Sequence, residues 1–240
     1  MPARPGETLA LWEALESTTS VARGASVLVA LGAAGGLADA VRMPIATAAR
    51  AALRELRERA GPQVQTVLSC PDCAAVLDVP LHLDDLLDAT EDAPGVDAAA
   101  SVTVDGVVVR GPTTEDLLMA LRSPDPSAAL RDRCLTWPGE VDAGALDPAA
   151  QERVRAAAEE LAGAAALAVR FDCPECGGRI TAEVDAVGLL ADRVADEVRD
   201  LLSDVAELAT AFGWSESDVL CLSDARRRAY LDLARGGGPR

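Results

Sequence analysis

Residues 168–184 read AVRFDCPECGGRITAEV, a stretch in which two cysteines three positions apart lie between two short strand-like runs. The same frame occurs far upstream, in TVLSCPDCAAVLDVPL at residues 66–81. In each copy a proline fixes one backbone dihedral, and acidic or small residues tolerate the tight turn, so the two sulfurs can converge on one ion. The chain therefore carries one Cys-Pro-acidic-Cys knuckle twice.

The residues around each knuckle predict a β-hairpin. A run rich in β-branched residues leads into the cysteines, and an alternating apolar and polar run leads out. A structural zinc ion needs four soft ligands in a tetrahedron, and two C-x-x-C pairs supply them. We therefore predict that the chain binds one structural Zn²⁺, which would clamp the two hairpins into one small zinc-ribbon-like sheet. The predicted ligands are Cys70, Cys73, Cys173 and Cys176.

Two other uses of these cysteines stay open on the sequence. A redox disulfide needs only one pair, usually at the start of a helix in a βαβ unit, whereas strands flank both pairs here. A structural disulfide belongs in a secreted chain, and residues 1–16 carry acids and Trp12 where a signal peptide needs an uninterrupted apolar core. Zinc is the favoured interpretation, and a zinc- or thiol-dependent redox-sensing regulatory protein is the alternative.

The remaining candidate reactive residues do not form a catalytic set. Cys134 and Cys221 stand alone in helix-like stretches and are expected to be small buried hydrophobic residues. The single histidine, His82, gives neither a catalytic triad nor a paired-histidine metal site. Four thiolates would leave a zinc ion no open coordination position. The sequence thus predicts a protein that is not an enzyme.

Charge and hydropathy restrict the partners. The formal net charge is −17 and the pI is about 4.4, which argues against nucleic acid because phosphates are bound by Lys and Arg. The longest apolar run, residues 24–38, is too short and glycine-rich to span a membrane. It also lacks the glycine pattern and the Lys-Ser/Thr pair of nucleotide-binding turns. We expect a cytoplasmic protein that binds neither nucleic acid nor membrane.

Periodicity predicts an α+β fold that is mostly helical. Residues 83–95 are read as an acidic turn, whose Asp84 and Asp85 suggest a helix start, and Asp105-Gly106 predicts an extra tight hairpin. Thr113 and Asp116 form a capping-box pattern, and Gly213 is expected to end a long C-terminal helix. The predicted segments are an N-terminal helical region (1–62), the first knuckle (63–84), an inserted hairpin and helices (85–165), the second knuckle (166–184), and the long helix with a C-terminal helical motif (185–240).

The order of these motifs resembles a known family. Residues 43–62 read MPIATAARAALRELRERAGP, the two knuckles flank the hairpin and PTTEDLL (112–118), RDRCL follows at 131–135, and residues 208–233 read LATAFGWSESDVLCLSDARRRAYLDL. Together they resemble the baseplate hub assembly chaperones of T-even-like contractile phages and of bacterial extracellular contractile injection systems. The resemblance covers most of the chain. One departure is Ala74, where relatives tend to have glycine.

The resemblance implies a non-enzymatic assembly factor, or a minor particle component, whose partners are baseplate or hub subunits. It assigns the four cysteines to the paired knuckles and places the C-terminal motif in a cytoplasmic or particle-associated protein. Aromatic residues and arginines dominate interface hot spots, and a basic cluster on an acidic protein suits an acidic partner surface. The alternative is that the aromatic residues only fasten two short helices to the long one. The predicted partner-binding residues are Trp214, Arg226, Arg227 and Tyr230.

Overall fold

The computed structural model describes residues 4–91, 101–137, 146–163 and 167–236. The fold is α+β and 59% helical, with small antiparallel sheets, which confirms the predicted class. Within the described ranges, no helix is both long and apolar enough to cross a membrane. The helices are α1 (Pro5–Glu16), α2 (Arg23–Ala30), α3 (Leu37–Ala40), α4 (Ile45–Ala60), α5 (Leu83–Glu91), α6 (Thr114–Ala120), α7 (Pro126–Arg133), α8 (Pro148–Gly163), α9 (Ala186–Phe212), α10 (Glu216–Leu220) and α11 (Asp224–Ala234), with a 3₁₀ turn at Ser20–Ala22. The strands are β1 (Gln63–Ser69), β2 (Val76–His82), β3 (Ser101–Val104), β4 (Val107–Arg110), β5 (Leu135–Thr136), β6 (Ala168–Asp172) and β7 (Arg179–Glu183).

The main core lies where α1, α2 and α4 pack with the first half of α9. Alanines along α4 allow the helices to approach closely, and the buried Leu53 and Leu56 fill the remaining space. Arg59 fastens the same helices from the side. Its guanidinium contacts Glu55 at 2.7 Å and Glu197 of α9 at 2.6 Å, and it donates a hydrogen bond to Thr8 of α1.

The two knuckle hairpins remain separate sheets. Among the described residues, β1 pairs only with β2 and β6 only with β7. The clustered cysteines bear out the predicted zinc-ribbon-like unit, but the expectation of a single small sheet is wrong. Alternation along each strand turns one face inward, and these inward faces meet around Cys70, Cys173 and Ile180. Because side-chain packing joins the hairpins, no backbone pairing between them is needed.

The acidic stretch after β2 is a helix rather than the expected turn. Residues Leu83–Glu91 form α5, which begins directly at the end of β2, as Asp84 and Asp85 suggested. Leu83 and Leu86 are buried in the main core, and this helical spacing of leucines outweighs the acidic content. The rest of the predicted turn, residues 92–95, lies outside the described residues.

The inserted segment contains the predicted tight hairpin. Asp105 and Gly106 have φ of 49° and 82°, the positive values that this turn needs, and they join β3 to β4. β5 adds a third strand that the sequence did not reveal, because two residues carry no readable alternation. Helix α8 covers the sheet with Val154 and Leu161.

A buried carboxylate joins β4 to α6 and α7. Asp116 is 1% exposed and completes the predicted capping box with Thr113. Its carboxylate forms ion pairs with the guanidinium of Arg110 at 2.5 Å and with that of Arg133 at 3.0 Å. Burial alone would raise the pKa of Asp116, but hydrogen bonds from Arg110 and Thr113 outweigh it and lower the pKa.

The long helix α9 supports two separate cores. Its first half belongs to the main core, whereas Leu208 near its end packs with Val219 of α10 and Leu231 of α11. The helix ends at Gly213, which has φ of 70° as predicted. Ser215 and Ser223 cap the two short helices that follow. Residues 205–231 therefore build a small C-terminal lobe on the far end of α9.

Candidate metal centre

The two knuckles adopt the same backbone turn. In the first, Cys70 N–H donates to Ala75 O at 2.9 Å, and Ala74 N–H donates to Cys70 O at 2.9 Å. In the second, Cys173 N–H donates to Gly178 O at 2.8 Å, and Gly177 N–H donates to Cys173 O at 2.8 Å. Each hairpin thus presents its two sulfurs in the same way, as the repeated sequence frame predicted.

The structure brings all four predicted cysteines together. Cys70 Sγ lies 3.7 Å from Cys176 Sγ, and Cys73 Sγ lies 3.8 Å from Cys173 Sγ. All four sulfurs lie within 4.8 Å of one another. A tetrahedral ion with metal–sulfur bonds of about 2.3 Å would hold its sulfurs about 3.8 Å apart, whereas a disulfide requires about 2.05 Å. The cluster can therefore hold a metal ion, and its cysteines are free thiols.

Burial and hydrogen bonding distinguish the four thiols. Cys70 and Cys173 are each 2% exposed, whereas Cys73 and Cys176 are exposed. The backbone N–H of Cys73 is the main cause that lowers the pKa of Cys70 to about 7. The N–H of Gly178 acts in the same direction on Cys176, but the neighbouring sulfurs and burial outweigh it and raise that pKa to about 12. Neighbouring thiolates repel one another, so the four thiols do not all lose their protons readily. A bound cation would offset that repulsion and favour the thiolates.

One position in each knuckle has a left-handed backbone conformation. Gly177 has φ of 72° in the second knuckle, and the corresponding residue of the first is Ala74, with φ of 57°. A Cβ at Gly177 would meet no atom within 4 Å. At this position the two knuckles therefore differ in backbone strain, which Ala74 carries.

The two other cysteines and the histidine lie apart from this centre. Cys134 is buried as predicted, and burial raises its pKa to about 11. Cys221 was expected to be buried, which is wrong: it is exposed because it caps the C-terminus of the five-residue α10 instead of lying on the buried face. His82 is exposed at the end of β2 and is not among the clustered ligands.

The predicted partner-binding residues lie in the C-terminal lobe and not among the four clustered cysteines. Trp214 and Tyr230 stack edge to face with ring centroids 4.7 Å apart, and Phe212, which the sequence did not single out, stacks 5.0 Å from Trp214. Arg227 is paired at 3.0 Å with Asp204 and also with Asp224. Arg226 is exposed.

Comparison of this chain with protein-family models, with curated proteins and with solved structures gave no match.

Proposed function

We propose that this protein is a non-enzymatic assembly factor, or minor component, for the baseplate hub of a contractile injection system, and that a structural Zn²⁺ stabilises it. The observation that carries the proposal is the four-sulfur centre, which joins two hairpins from distant parts of the chain. The family resemblance of the ordered motifs supplies the baseplate role. A centre with four protein ligands suits a structural ion and not a catalytic one.

Zinc is the ion that fits this donor set best. Tetrahedral four-sulfur sites select zinc or iron–sulfur chemistry, and zinc supplies a redox-inert link between fixed ligands. Structural zinc contributes on the order of 10 kcal/mol to the folding of small domains. Here the four cysteines would hold the ion, and the ion would fix the two hairpins relative to each other beside the main core.

The C-terminal lobe is the part of the surface that suits a partner subunit. Phe212, which stacks on Trp214, is 41% exposed. Arg226 and Arg228 are also exposed, on a chain with a net charge of −17. Apolar and cationic groups together favour an acidic partner surface that the rest of the chain repels.

Gene deletion with complementation tests the proposal. Without the protein, tubes and sheaths should fail to start from a complete baseplate, and small-molecule turnover should be unaffected. Wild-type protein and the matched Cys134→Ser variant should restore particles, whereas Arg226→Glu with Arg228→Glu should restore few. Normal assembly and firing in the deletion strain would overturn the assembly role.

One observation favours the alternative of a redox-sensing regulatory protein. Cys73 and Cys176 are exposed thiols, and each lies within 3.8 Å of a buried cysteine in the other knuckle. Hydrogen peroxide would oxidise such a pair of thiols to a disulfide, with release of two water molecules and of the metal. A sensor should release zinc in dilute peroxide, whereas a structural centre should retain it under the same conditions.

A further inference from the structure

A groove of about 770 Å³ runs between the two knuckle hairpins. Every residue of β2 and of β6 lines it, together with Asp85, Leu86 and Ala89 of α5. A smaller space of about 240 Å³ lies beside β1 and β7, where Gly188 and Leu189 of α9 form part of its lining. The open groove has the volume of an ordinary ligand site.

The β6 edge of this groove offers unpaired backbone groups. Val184 N–H donates to Leu167 O, and Cys173 N–H donates to Gly178 O. Because hydrogen-bonded residues alternate along the strand, these two bonds show which residues of β6 bond to β7. In an antiparallel ladder the intervening residues direct both their N–H and C=O groups outward. These residues are Ala168, Arg170 and Asp172, and the described parts of the chain give their backbone groups no other partner.

The β2 edge is less suited to accept a strand. Cys70 N–H donates to Ala75 O, and Leu83 N–H donates to Pro62 O, so the outward residues of β2 include Pro80. Proline has no N–H to donate, and such residues protect sheet edges from pairing. An added strand would therefore form its hydrogen bonds with the free edge of β6 and not with the protected edge of β2.

The side chains of the groove define the chemistry of that strand. Leu77, Val79 and Phe171 supply partly buried apolar surface. The ionisable groups that line the groove are Asp78, His82, Asp85, Arg170 and Asp172, so carboxylates outnumber the single guanidinium. Apolar side chains would enter such a groove from an extended segment, and basic side chains would meet its carboxylates.

We propose that this groove binds an extended peptide segment of a partner protein by strand addition to the free edge of β6. Basic and apolar residues would alternate along that segment. The identity of the partner rests on the proposed baseplate function, but strand addition does not. A deletion strain that assembles normally would therefore overturn the baseplate role but not strand addition, which the peptide-binding experiment tests.

The test uses a fluorescein-labelled peptide, Lys-Val-Lys-Val-Lys-Val-Lys, with the full-length zinc-loaded chain. Fluorescence anisotropy should show saturable binding, and a Glu-Val peptide of equal length should bind at least about tenfold more weakly. On binding of the Lys-Val peptide, the amide protons of Arg170 and Asp172 should exchange at least about tenfold more slowly. No saturable binding, or binding without this protection, would overturn the proposal.

Two matched proline variants locate the strand. Arg170→Pro removes an outward N–H of β6 and no bond to β7, and it should weaken peptide binding at least about tenfold. Loss of a cation would by itself strengthen binding of a basic peptide, so the weakening has no charge explanation. Thr181→Pro is the control, because Thr181 is the register partner of Arg170 and lines neither groove.

The outcomes separate strand addition from other occupants. Both variants should retain bound zinc and the wild-type melting temperature, and the Thr181 variant should bind the peptide normally. Equal binding by the two variants would overturn the proposal. Protection of Arg170 that rises with protein concentration in the absence of peptide, together with dimers in sedimentation, would assign the groove to a second copy of the chain and would also overturn it. If Arg170→Pro does not fold, the exchange measurement on the wild-type chain decides.

Discussion

The left-handed residue of each knuckle gives a reciprocal pair of substitutions. Ala74 has φ of 57° and Gly177 has φ of 72°, at corresponding positions of the two turns. Ala74→Gly should stabilise the protein, and Gly177→Ala should destabilise it. Neither change touches a thiolate, so the effect comes from the backbone alone.

The size of the effect follows from two opposing contributions. A non-glycine residue in the left-handed region costs about 1–2 kcal/mol, and glycine costs about 0.5–1 kcal/mol in unfolded-state entropy. The Ala74→Gly variant should therefore gain about 0.5–1 kcal/mol in free energy of unfolding. Since a Cβ at Gly177 meets no atom within 4 Å, Gly177→Ala should lose a similar amount without a steric contribution.

Urea unfolding of the zinc-loaded variants measures both changes. About 1 kcal/mol corresponds to about 2–4 °C in melting temperature for a chain of this size. The double variant, with glycine and alanine exchanged between the knuckles, should be close to wild type. Destabilisation by Ala74→Gly, or no effect of Gly177→Ala, would show that the left-handed backbone at these positions carries no strain.

Two further predictions concern other parts of the fold. Asp116→Asn should lower the free energy of unfolding by about 2 kcal/mol, because Arg110 and Arg133 lose their charged partner. Since the folded pKa of Asp116 is lowered, its stabilisation is present at neutral pH and is lost as the pH falls below about 4. Urea titrations should therefore show a smaller loss of stability at low pH in the variant than in the wild type, because the other carboxylates with lowered pKa values, such as that of Asp105, are unchanged. Trp214→Ala should speed amide exchange in α10 and α11 and leave α4 unchanged, because the C-terminal lobe has its own core; equal acceleration in α4 would contradict two separate cores.

The local signals of the sequence were sufficient for most turns and helix ends. The Asp105-Gly106 turn, the capping box at Thr113 and the terminator Gly213 all follow from short-range chemistry, and the structure confirms each. The repeated frame also predicted that four cysteines would meet, because two knuckles with the same turn present their sulfurs alike. The five-segment division and the partner-binding residues stay predictions.

The features that the sequence did not reveal depend on tertiary contacts. The two hairpins stay separate sheets because side-chain packing around Ile180 replaces strand pairing. Cys221 is exposed because it falls at the end of α10, and no local pattern distinguishes a buried helix face from a helix end over five residues. The ion pair of Arg227 with Asp204 arises because α11 packs against α9, which spacing along one helix does not show.

The zinc content of the purified, reduced chain shows whether the four clustered cysteines bind a metal ion. Elemental analysis should give one zinc per chain, and Cys73→Ser or Cys176→Ser should lower both that content and the melting temperature sharply. Cys134→Ser and Cys221→Ser should keep the metal, since neither sulfur belongs to the cluster. A reduced, fully folded chain that binds no zinc, or that keeps its zinc after loss of Cys73, would contradict the four-cysteine centre.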